Sequence, residues 1–275
     1  MAAWALGLTG CAVPATSTGQ AAGQAAGLLA ETAARVLALP PADAMLLGEQ
    51  HDAPDHQQVH RQVVETLADQ GRLAALAIEM AETGRSTAAL PRTATSEAVR
   101  AALAWDETGW PWAAYGPAVM AAVQGGVPVL GANLPRRRMR EAMGQLRLDD
   151  RLPDNALQAQ RQAIRAGHCG MLPDRQIAPM TRIQVARDIA MAETIASAAV
   201  PGKVVVLLAG SGHVDRGLGV PLHLPSTLKV LSVRLLAAEA PAHAGAAPTG
   251  FDTVWVTPPV PAKDYCADMK QQMGR

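Results

Sequence analysis

Two short aliphatic runs in this chain each end in a Gly-x-x-His sequence. Ala44-Met45-Leu46-Leu47 runs into Gly48-Glu49-Gln50-His51, and residues 204–208 run through Ala209 into Gly210-Ser211-Gly212-His213. A third run, Leu76-Ala77-Ile78, ends in Glu79. Imidazoles and carboxylates are the side chains that move protons near neutral pH and ligate cations. Glu49, His51, Glu79 and His213 therefore open two chemistries. As an enzyme site, His51 is the general base for water, Glu49 or Glu79 orients it, and His213 stands opposite. As a metal site, His51, Glu79 and His213 hold a divalent transition metal. A third reading makes the four a polar network that only fixes the sheet. A carboxylate at the end of an apolar strand is costly without a cation, a donor or a metal; Arg85 and Arg187 are the candidate cations for Glu79.

The elements that position these residues follow from the same runs. Four to eight aliphatic residues bounded by glycine and polar residues form a strand covered on both faces by helices. Ligands of open parallel sheets gather at the carboxyl ends of such strands, so the four residues share one rim. Asp52, Pro54 and Asp55 open a helix running to about Gly71, with His56, His60, Val63 and Leu67 on an inward stripe. Position 57 is Gln, so the zincin pattern with its Glu is absent. Further strands are predicted at 73–78, 127–130, 204–208, 228–233 and 253–256. A long helix over 179–199 carries Gln184, Arg187, Asp188 and Met191. Trp105, Trp110, Trp112 and Tyr115 cluster within 105–117. The fold class predicted is α/β, a mostly parallel sheet flanked by helices, with a small helical subdomain inserted. The main domain spans 28–275, and the subdomain is drawn from about 82–122 and 136–178.

The chain has 275 residues, enough for one large domain, and a formal net charge of +0, which lends no support to a nucleic-acid partner. The basic run Arg136-Arg137-Arg138 is either a solvated face or a clamp for carboxylates. Residues 1–11 are apolar and end in Leu8-Thr9-Gly10-Cys11, which resembles the lipobox of bacterial lipoproteins, with Cys11 as the lipidated residue. Residues 12–26, rich in Ala, Gly, Gln, Ser and Thr, read as a flexible tether, so 1–27 is assigned as lipoprotein signal and tether. Ala12 is not the Asp that retains lipoproteins at the inner membrane. The expectation is an envelope protein anchored by lipid alone, at the outer membrane facing the periplasm. Cys169 and Cys266 form one disulfide or stay as two buried thiols; the sequence leaves both open.

The segments Leu47-Gly48-Glu49-Gln50-His51-Asp52, Pro54-Asp55-His56, Ile78-Glu79-Met80, Ala132-Asn133-Leu134-Pro135 and Gly210-Ser211-Gly212-His213-Val214 with Gly219-Val220-Pro221 occur in that order. Together they resemble the ChaN family of iron-regulated, haem-binding lipoproteins, over about residues 43–225. ChaN belongs to a superfamily with erythromycin esterases and Tiki metalloproteases, in which Gly-x-x-His motifs and glutamates do the chemistry. By position, Glu49, His51, Glu79 and His213 match that set. The resemblance implies haem capture as a homodimer, with iron or haem as ligand and outer-membrane uptake machinery as partner. It also implies a tyrosine ligand to haem. Tyr115, His168 and Met171 are the candidate haem ligands, the tryptophans the candidate walls, and Arg136 the candidate propionate contact. The alternative it implies is a metal-dependent or metal-free hydrolase using the rim.

Overall fold

The computed structural model describes residues 17–238 and 250–273; Cys11 and its motif lie outside them. The elements run α1 (Ser17–Ala38), β1 (Ala44–Glu49), α2 (Pro54–Asp69), β2 (Leu73–Glu82), α3 (Ser96–Leu103), α4 (Trp112–Gln124), β3 (Val129–Asn133), α5 (Arg136–Gly144), α6 (Asp154–Gly167), α7 (Asp174–Ala198), β4 (Val204–Gly210), α8 (Ser211–Val214), β5 (Val230–Ala237), β6 (Thr253–Thr257) and α9 (Tyr265–Met273). All pairings in the six-stranded sheet are parallel, and the strand order is β3-β2-β4-β1-β5-β6. This is the α/β architecture expected.

Every residue of β1 and β4 is buried, as strands covered on both faces require. Successive side chains alternate between faces. Met45, Leu47, Leu76, Ile78, Val206 and Leu208 pack with Val59, Val63 and Leu67 of α2 and with Val119 and Ala122 of α4. Ala44, Leu46, Ala75, Ala77, Val205 and Leu207 pack with Met191, Ala192 and Ile195 of α7. The sheet is thus the middle of three layers.

Three expectations change. Residues 17–26, expected in a flexible tether, belong to α1, because alanine and glutamine are strong helix formers. Helix α7 begins at Asp174 rather than 179: Pro173 turns the chain in, Asp174 complements the dipole, and Pro179 is carried inside. The expected subdomain divides. Val99, Leu103 and the buried face of α4 join the main core. Ala142, Leu148, Leu152 and Leu157, by contrast, build a small core of their own against Val185 and Ala186 of α7.

Candidate functional site

The rim forms at the carboxyl ends of β1 and β4, beside β2 where its pairing with β4 ends. Glu49 is in register with Gly210, and Ile78 with Leu208. The alternation of side chains then divides the acids. Glu49 lies two residues beyond Leu47 and faces α2 and α4; Glu79 lies two beyond Ala77 and faces α7. Each acid meets the polar residues of its own face.

On the first face, buried Glu49 accepts from Tyr115 Oη at 2.8 Å and from Gln57 Nε2 at 3.4 Å. Its Oε1 also lies 2.8 Å from His51 Nδ1. Strand β1 stops at Glu49, so His51 reaches it from the following turn. Burial alone would raise the Glu49 pKa, but the hydrogen bond from His51 and the nearby His60 and Tyr115 outweigh it and lower it. Burial would lower that of His51; the bond to Glu49 and the charges of Glu79 and Glu49 raise it instead. His51 Nδ1 is held by Glu49, and Nε2 lies against Gly210, where a Cβ would sit 3.0 Å from it. The imidazole is 43% exposed and packs against the Trp110 ring at 4.9 Å. His56 and His60 face inward from α2 as expected. Burial pushes His56 down to about 4, and His60 down as well.

On the second face, buried Glu79 pairs with the Arg187 guanidinium and accepts from the Gly210 amide at 2.8 Å. Arg187 also donates to Asn133 Oδ1 at 2.9 Å, and Asn133 Nδ2 donates to the Glu79 carbonyl at 2.9 Å. His213 sits between two acids, with Nδ1 bonded to fully buried Asp188 and Nε2 3.5 Å from Glu79. Burial would lower its pKa, yet the charges of Glu79 and Asp188 push it up to about 9. Glu79 is held far below the carboxylate range: burial works upward, but His213 and then Arg187 overwhelm it. His213 is therefore held as an imidazolium at neutral pH between its two acids.

This geometry bears on the expected metal. Among the described residues, no group of three or more His, Cys, Asp or Glu side chains is arranged to hold one. The cation that Glu79 needs is Arg187, one of the two candidates read from the sequence.

The two acid clusters line one cleft of about 680 Å³, together with Gln184, Ser211, Lys263 and Tyr265. A second cleft of about 380 Å³ shares Glu79 and Arg187 with it and is lined by Trp110, Met139, Arg85 and Arg136. The other expected site residues scatter. Tyr115, a candidate haem ligand from the sequence, belongs to the rim. It is buried, and burial and the Glu49 charge push its phenol far above its ordinary pKa. In this structure its hydroxyl is a hydrogen-bond donor to Glu49. His168 ends α6 with Nδ1 bonded to the Ile164 carbonyl, and neither it nor Met171 lines the two clefts. Arg136 lines the smaller cleft and pairs with Asp106. Cys169 and Cys266 are bonded as a disulfide.

Sequence reasoning did not assign roles to Asp188, Gln57 or Tyr265. For Asp188 a signal existed: Gln184, Arg187, Asp188 and Met191 share one stripe of α7 by their spacing.

A family model described as haem-binding uptake, Tiki superfamily, ChaN matches residues 36–224. Among solved structures, one described as cofacial heme binding to ChaN of Campylobacter jejuni superposes with a TM-score of 0.65 at 24% identity, covering 80% of this chain and 89% of that one. At that identity the likeness is one of fold. No curated protein matches the chain.

Proposed function

On the premise that the chain belongs to the ChaN haem-binding uptake family of the Tiki superfamily, we propose that it binds haem in the larger cleft, with His51 as the iron ligand. The observation that carries this reading is the state of His51: Nδ1 is fixed on buried Glu49, while the ring itself is 43% exposed and lines the cleft. A carboxylate behind the ligating imidazole fixes its tautomer and raises its donor strength, which is how metal-binding histidines are commonly supported. Trp110, from the adjoining smaller cleft, backs the His51 ring edge-on. Lys263 and Arg187 line the same cleft and are cations suited to propionates. Haem, when bound, would supply an iron that an imidazole nitrogen can ligate. The donor set therefore fits the group.

Haemin titration followed by absorbance tests this. His51→Ala, folded by circular dichroism, should lose the Soret change or shift its position, while His168→Ala should titrate like the parent. A parental spectrum and affinity in His51→Ala overturns the assignment. We read the chain as a homodimer, a reading in line with the cofacial heme binding described for the Campylobacter jejuni protein. Sedimentation with and without haemin checks it: a monomer at all haemin loadings is the contrary result.

A second reading has one observation in its favour. Both imidazoles at the cleft, His51 and His213, rest on buried carboxylates. In a hydrolase, His51 would take the proton from attacking water and cationic His213 would stand near the developing negative charge. Turnover of ester substrates by the haem-free protein, abolished by His51→Ala, would favour it.

The lipoprotein motif Leu8-Thr9-Gly10-Cys11 supports an outer-membrane anchor facing the periplasm, where uptake machinery would meet the protein. Mass spectrometry of the membrane fraction should find a lipidated amino terminus at Cys11; an intact peptide across residues 8–14 overturns it. Among the described residues, no helix is long and apolar enough to cross a membrane.

A further inference from the structure

One wall of the larger cleft comes from outside the family-matched span 36–224: Lys263 and Tyr265, at the start of α9. Tyr265 Oη donates to Asp52 Oδ2 at 2.6 Å and accepts from Gln50 Nε2 at 3.3 Å, so its phenol is fastened to the turn that carries His51. Lys263 Nζ lies 5.3 Å from the centroid of the Tyr265 ring and 3.3 Å from Asp268. Asp264 caps the helix by accepting from the Ala267 amide at 2.9 Å. The next residue after Tyr265, Cys266, is bonded to Cys169 just beyond the end of α6. Tyr265, at 47% exposure, is one of the most exposed large side chains described, and the described side chains of α9 are exposed or half-buried. Apolar packing therefore does little to hold α9 in place, and two fastenings do that work: a hydrogen bond at the surface and a covalent bond beside it.

From this juxtaposition we infer that residues 263–273 form a strap that walls the cleft beside His51, latched by the Cys169–Cys266 disulfide, and that the closed strap slows release of the bound ligand. The disulfide joins the strap to the end of α6, while Tyr265 joins it to the His51 turn. The strap thus bridges two otherwise separate parts of the fold, and opening either fastening loosens the wall.

The inference rests on the haem reading for its ligand, and the test keeps the two apart. The full chain is compared oxidised, after reduction by a phosphine, which takes up oxygen from water and leaves two thiols, and as Cys266→Ser. Three quantities are read: amide exchange over 265–273, the rate at which diethyl pyrocarbonate modifies His51, and haemin release to apomyoglobin. Opening the latch should remove exchange protection from the strap, speed modification of His51, and speed haemin release by about tenfold, the scale of one lost hydrogen-bonded wall. Tyr265→Phe, which keeps the ring and the disulfide, should move all three the same way by a smaller factor. Unchanged exchange and His51 reactivity on reduction, or haemin release that is equal or slower, overturns the strap. If the oxidised protein binds no haemin, the haem reading falls, and exchange and His51 reactivity alone decide the strap.

Discussion

The His213 imidazolium should give the protein an alkaline limb of stability. His213 is buried between Glu79 and Asp188, and its pKa rises from 6.5 to about 9 on folding. At 1.36 kcal/mol per pKa unit, that rise corresponds to roughly 3 kcal/mol. The sign follows from which state holds the proton. Below pH 6.5 both states are protonated and the stabilisation is fully present; as pH rises through about 9 the folded state loses its proton and the stabilisation is lost. Urea unfolding at constant ionic strength from pH 6 to pH 9.5 should show the midpoint falling with little change in slope. His213→Gln removes the titrating group, so its stability should be lower at pH 6 and much flatter across the range. His51, whose pKa is also raised, leaves a residual slope in that variant. A parental slope in His213→Gln refutes the assignment of the limb to His213.

Arg187→Met strips buried Glu79 of its guanidinium and should cost about 3 kcal/mol by chemical denaturation, with Glu79→Gln on the same background recovering part of it. Tyr115→Phe removes a donor to Glu49 and should cost about 1 to 2 kcal/mol by the same measurement, while the more basic carboxylate raises the His51 pKa in an NMR titration. Gly48→Ala would drive a Cβ into Val214 Cγ2 and to 2.9 Å from the Ser211 Cα, so a thermal melt should report a loss of about 1 to 3 kcal/mol.

The amino-acid sequence by itself determined where the strands lie, though β2, β3 and β5 run three or four residues past the ends predicted for them. Aliphatic runs such as Met45-Leu46-Leu47 and Val205-Val206-Leu207 can only be buried, and glycine ends them where a helix or turn must start. That made Glu49, His51, Glu79 and His213 legible as one rim, and the inward faces of His56 and His60 followed from helical spacing. That Glu49 and Glu79 face opposite sides depended on the register between their strands and on which helices covered each face, neither of which the runs alone contain. Only the tertiary structure decided that, by laying α2 and α4 on one side and α7 on the other. Tyr115 thereby became a donor to Glu49, Asp188 the partner of His213, and Arg187 the cation of Glu79. Tyr265 reached the cleft from more than two hundred residues away in sequence. Local patterns encode burial because burial follows from each residue's own polarity and its neighbours' spacing. Partners across the fold are set by how separate layers pack, which no short window of sequence contains.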